Sequence, residues 1–152
     1  MQYTISEHRH GKAEVPEPVR KEIEHVIASR PATVHRGSTK ILRDTILAGL
    51  AEKGWPSDVS VDPVSKISVT SVKSRIGLCL QTGNMSRMYA DLLKLQTLYL
   101  REVIEAGIII VPMHETAKQL GENVANSDRL VRELHIFERV ITIPLIVFGV
   151  GK

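Results

Sequence analysis

The run Gly107, Ile108, Ile109, Ile110, Val111, stopped by Pro112, constrains the fold more than any other part of this sequence. Its β-branched side chains favour an extended backbone, and a segment with no polar face is stable only where both faces are covered. It therefore reads as the central strand of a sheet packed between helices. The rest of the chain must supply the covering layers. With 152 residues, 43% of them hydrophobic and 24% charged, it can do so as one domain spanning residues 1–152.

Elsewhere the apolar spacing supplies those layers. Val19, Ile23, Val26 and Ile27 recur at helical intervals, with Pro18 in the first turn and Ser29, Arg30 and Pro31 at the stop. Ser38 is placed to cap a second helix bearing Leu42, Ile46 and Leu50, ended by Gly54. Residues 1–17, polar and proline-containing, read as an irregular arm. After Pro63 the period falls to two. Ile67 and Val69 lead to a polar turn near Lys73 and Ser74, after which Ile76, Leu78 and Leu80 share one strand face while Gly77, Cys79 and Gln81 share the other. Gly83 and Asn84 break that strand, and Ser86 opens a helix with Met88, Leu92, Leu95 and Tyr99, running to about Arg101. Asn126 or Ser127 caps a helix bearing Leu130, Leu134 and Phe137. Val140–Phe148 reads as a last strand, which Pro144 places at an edge or a bulge. The expected fold class is α/β, a mixed central sheet flanked by helices.

Several classes are excluded by composition. One cysteine, Cys79, forbids an internal disulfide and a cysteine-based zinc site. No apolar run reaches the about 18 residues of a membrane span, and the first residues lack a secretory pattern, so a cytoplasmic protein is expected. The six histidines, including His8, His10, His25 and His35, fit no metal-binding spacing and read as surface residues. A net charge of +3 permits a nucleic-acid partner without requiring one.

From Val72 through Ile76 to Asn84 the sequence resembles the active-site hairpin of BglII/BstYI-like type II restriction endonucleases, a BamHI-related branch of the PD-(D/E)XK nucleases. Tyr89–Gln96 resembles that family's next helix, Ala106–Pro112 its buried strand, and Asn123–Asn126 with Val140–Phe148 its closing segments. The resemblance covers most of the chain from about Ser38 onward. It implies a PD-(D/E)XK, restriction-endonuclease-like core, double-stranded DNA as partner and Mg²⁺ as the cofactor of an active member. In that family an Asp on the first hairpin strand is followed nine positions later by a Glu and, one residue further, by Gln. Alternate residues of a strand share a face, so Glu and Gln meet in a cleft, and the two carboxylates hold the metal.

Laid on this chain, Gln81 matches the Gln, Cys79 stands in the Glu position and Thr70 in the Asp position. A thiol and a neutral hydroxyl give Mg²⁺ no anionic oxygen. The resemblance thus implies a DNA-binding pseudonuclease with degenerate motif positions Thr70, Cys79 and Gln81. Two alternatives stay open: an active Mg²⁺-dependent endonuclease whose metal moved to Asp62 or Asp91, and a protein-interaction regulator of an active homologue. Against relocation, Asp62 before Pro63 reads as a turn residue and Asp91 as a polar helix position near Lys94. Lys73, Arg75, Asn84 and Arg87 are candidate phosphate contacts, although a solvated basic edge and an ordinary Gly-Asn turn would look the same. Cys79 reads as a small core filler rather than a nucleophile. The chain is short for a restriction-enzyme subunit, and the expected missing material is the insertions that read base edges. The helices Pro18–Arg30 and Ser38–Lys53 are candidates for a dimer surface, with a second copy or with a homologue.

Overall fold

The computed structural model describes all of residues 1–152. In chain order its elements are β1 (Gln2–His8), α1 (Gly11–Glu14), α2 (Glu17–Ala28), α3 (Thr39–Glu52), β2 (Val59–Asp62), β3 (Ile67–Val69), β4 (Ser71–Lys73), β5 (Ile76–Leu80), α4 (Ser86–Leu100), β6 (Ala106–Pro112), α5 (His114–Leu120), α6 (Ser127–Ile136) and β7 (Leu145–Gly151). A five-stranded sheet has the order β1-β7-β6-β5-β4, with β5, β6 and β7 parallel and the two edge strands antiparallel; β2 and β3 form a separate pair. The apolar run is therefore the middle strand, and all seven of its residues are buried.

Alternation along the strands sorts the core into two layers. Ile76, Leu78 and Leu80 of β5, Ile108 and Ile110 of β6 and Ile146 and Phe148 of β7 pack under α2 and α3 with Ile23, Ile27, Leu42 and Ile46. Cys79, Ile109, Val111, Leu145 and Val147 face the other way, against Met88, Leu92 and Leu95 of α4 and Leu130 and Leu134 of α6. Each layer closes one face of the parallel strands, as their lack of a polar face requires.

Four expectations are corrected. The first eight residues are not an irregular arm: β1 pairs with β7 from Gln2 to His8, and Tyr3 and Ile5 pack on the core. His8 is accordingly no surface histidine; it is buried, with Nε2 2.7 Å from the Ile141 carbonyl. The polar alternation of an edge strand was masked by the charged residues that follow it. The last strand starts at Leu145 rather than Val140, because Pro144 cannot join a ladder through nitrogen; its carbonyl instead accepts from Gly107 N–H at 2.9 Å. Nor is that strand an edge, since β1 covers its outer side. Helix α5 went unread, being only seven residues long.

The hairpin holds the most consequential detail. Its first strand breaks at Thr70, β3 pairing with β2 and β4 with β5. The Thr70 carbonyl accepts from Asp58 N–H at 3.1 Å, and its Oγ1 accepts from Leu80 N–H at 3.0 Å, so a side chain takes the place of a ladder carbonyl. At the other end, Ser74 and Arg75 both have positive φ, 50° and 60°, the backbone of a tight two-residue turn.

Candidate functional site

Parallel strands leave a crevice beyond their carboxyl ends, and the polar cleft of this protein lies there, past β5. Gln81 follows the last residue of β5 and stays in register with the sheet through its N–H, which donates to the Ile110 carbonyl at 2.9 Å. Its side chain is held at both ends: Nε2 donates to Asp91 Oδ2 at 2.6 Å, and Oε1 accepts from Gly83 N–H at 2.9 Å. Asp91 comes from α4, and its other oxygen accepts from Lys94 Nζ at 3.1 Å. The loop between β5 and α4 is pinned by Asn123–Ala125, with Met85 N–H donating to the Asn123 carbonyl and Ala125 N–H to the Gly83 carbonyl. Thr70 and Gln81 both line the cleft, and Cys79 lies beneath its floor, 1% exposed.

The cleft encloses about 630 Å³. Lys40 and Arg43 of α3, Arg87 and Lys94 of α4, and the carboxylates of Asp58 and Asp91 line it. Arg43 Nη1 donates to the Leu80 carbonyl, which ties α3 to the end of β5 between Cys79 and Gln81. Lys40 pairs with Asp44 one turn along its helix. Arg87 forms no ion pair or side-chain hydrogen bond. Asp58, held at φ 51° by its backbone bond to Thr70, presents an exposed carboxylate without a hydrogen bond. Four cations and two carboxylates make the cleft basic.

Of the residues picked out in the sequence, Thr70, Gln81, Arg87 and Asp91 line the cleft and Cys79 underlies it. Lys73 and Arg75 stand at the opposite end of the hairpin. Lys73 Nζ donates to Glu22 at 2.7 Å and lies 5.6 Å from the centre of the Trp55 ring, while Arg75 pairs with Glu105 at 2.7 Å. Asn84 is a turn residue ahead of α4, its Oδ1 accepting from Ser86 N–H at 2.9 Å. Asp62 is the turn residue its proline neighbour implies: it accepts from Ser65 N–H at 2.7 Å, a bond that holds its carboxyl below the usual range, and it does not line the cleft. Asp58, Lys40 and Arg43 were not legible. Nothing in their local pattern separates a cleft cation or carboxylate from a solvated one.

The positions that the resemblance pairs with metal ligands present Mg²⁺ no anionic oxygen. Thr70 Oγ1 is a neutral oxygen already committed to Leu80 N–H. Burial pushes the Cys79 thiol far up, and the Asp91 charge adds to that shift, while the Thr70 backbone, Lys94 and Arg43 oppose it. The sulfur is therefore a protonated thiol at neutral pH, and Mg²⁺ takes anionic oxygens. It is also a poor nucleophile. Iodoacetamide at pH 8 should leave Cys79 unmodified in the folded protein and alkylate it readily in denaturant; comparable rates in both states would show that the thiol is accessible.

The family model described as restriction endonuclease BglII/BglIII matches residues 3–150. A crystal structure of restriction endonuclease BglII complexed with a DNA 16-mer superposes with a TM-score of 0.90 at 14% identity, covering 100% of this chain and 79% of that one. A crystal structure of free BglII superposes with a TM-score of 0.76 at 16% identity, covering 100% and 80%. No curated protein sequence matches.

Proposed function

Because this chain belongs to the BglII/BglIII restriction endonuclease family, we propose that it binds double-stranded DNA in the basic cleft past β5 and, as a pseudonuclease, does not cut it. One observation supports this reading: Thr70 and Gln81 line one cleft, Cys79 is buried beside them, and neither Thr70 nor Cys79 offers an anionic oxygen. Lys40, Arg43, Arg87 and Lys94 supply the charge that phosphates require. These cations replace Lys73 and Arg75 as the expected contacts, since those two stand at the opposite end of the hairpin and do not line the cleft. Residues 1–152 would act as one domain in the cytoplasm; no helix is long and apolar enough to cross a membrane. A two-fold assembly with a second copy or a homologue would suit a duplex.

A labelled mixed-sequence duplex titrated with native protein tests this. Binding should weaken steeply with salt, and Lys40→Ala and Arg87→Ala should each lower the logarithmic salt slope by about 1. Supercoiled plasmid should stay intact in Mg²⁺. Absence of salt-dependent binding would instead favour a protein-interaction role.

A second reading, active cleavage through a relocated metal, draws on Asp91 alone among the two acids the sequence offered. It lies in the cleft with Gln81, and Asp58 is the other carboxylate there. Plasmid cleavage by the native protein, abolished by Asp91→Ala, would establish that reading in place of the first.

A further inference from the structure

A nuclease cleft of this type is acidic at its floor and relies on a divalent cation to make peace with phosphate. This cleft has the opposite balance. Among its lining residues are four cations and two carboxylates. Restoring both family carboxylates at Thr70 and Cys79 would bring the two signs to parity and remove the net attraction. Two of the cations, moreover, stand beside the altered positions. Lys94 Nζ is 3.1 Å from Asp91 Oδ1, and that same Asp91 holds Gln81. Arg43 Nη1 donates to the carbonyl of Leu80, the residue between Cys79 and Gln81. Arg43 and Lys94 are also the two cations whose charges act on the Cys79 sulfur.

Building on the duplex-binding reading above, we infer that Lys94 and Arg43 take over the electrostatic role of the metal, so that this cleft binds the phosphodiester backbone without any divalent cation. Each retains donors for the task. A guanidinium has five N–H groups, and Arg43 uses one on Leu80; an ammonium has three, and Lys94 uses one on Asp91. The Lys94 side chain is 28% exposed and that of Asp91 10%, so this charge pair sits where water screens it incompletely. Asp91, neutralised by Lys94, then orients Gln81 without repelling phosphate.

The test is fluorescence anisotropy of a labelled mixed-sequence duplex, in EDTA and in Ca²⁺ at matched ionic strength, Ca²⁺ being chosen so that no cutting intervenes. The native protein should bind equally in both, within about twofold, because the counterion term is held constant. Thr70→Asp/Cys79→Glu should bind about tenfold more weakly in EDTA and recover in Ca²⁺, since two added carboxylates would face the phosphates without a cation between them. Lys94→Gln should lose affinity in EDTA and regain part of it in Ca²⁺, because Asp91 is left without its cation. Lys94→Arg should keep metal-free binding, a rescue that loss of packing alone would not produce. If the double variant does not fold, the native and Lys94 proteins still decide the matter.

Native binding that rises tenfold or more in Ca²⁺ overturns the inference and leaves duplex binding standing. So does a Lys94→Gln protein that binds as the native one does in EDTA. Native protein that fails to bind duplex in either condition overturns the duplex-binding reading, and the inference with it.

Discussion

Thr70→Asp/Cys79→Glu should convert a protein that leaves supercoiled plasmid intact in Mg²⁺ into one that nicks or linearises it. Both new carboxylates would join Asp91, whose charge already acts on Cys79 and whose carboxylate accepts from Gln81. Without metal the change is costly. The Cys79 position is 1% exposed, and an unpaired carboxylate there, with Asp91 close by, should destabilise the fold by about 3–5 kcal/mol. Metal that binds only the folded state recovers stability by mass action, about 2.7 kcal/mol at a hundred times its Kd. The thermal midpoint of the variant should therefore rise with Mg²⁺ while that of the native protein stays put. A variant that is folded, gains stability from Mg²⁺ and still leaves plasmid intact would show that the cleft has lost more than its two ligands. Native cleavage would show that the metal is held elsewhere.

The second large effect concerns the sheet that positions the cleft. Phe148→Ala should destabilise the protein by about 3–5 kcal/mol, seen as a lower midpoint in denaturant with little change in slope. Phe148 is fully buried in β7 beneath α2 and α3, and its ring centre is 5.9 Å from that of Tyr3 on β1. Truncation empties the layer that holds β1 and β7 together, and a chain of this length should lose about 2–4 °C in Tm per kcal/mol. A loss below about 1 kcal/mol would mean that the neighbouring isoleucines collapse into the space.

The parallel core was legible because its signal is local and redundant. Gly107–Val111 has no polar face, and Ile76, Leu78 and Leu80 alternate with Gly77, Cys79 and Gln81; each pattern has one economical solution, a covered strand. Helices α2, α3, α4 and α6 were equally plain from their apolar stripes and their proline, glycine and capping residues. The edge elements were not. β1 is held by a ladder to β7, at the far end of the chain, and no residue near Gln2–His8 announces that partner. Pro144 marks a disruption, yet that it precedes β7 instead of bending a strand depends on Gly107 N–H, which only the tertiary structure supplies.

The candidate site divides in the same way. From the sequence alone came the strand alternation of the hairpin, a property of local backbone, whereas Thr70, Cys79 and Gln81 were singled out by the family resemblance. Tertiary structure alone separated Asp91 from Asp62, brought Lys40 and Arg43 across from α3, and turned Lys73 and Arg75 away to Glu22 and Glu105. The physical reason is that a charged side chain has no periodic signature. Its role is set by what stands within a few ångströms, and in this cleft the α3 cations reach residues of β5 and α4 from far along the chain, Arg43 lying 37 residues from Leu80.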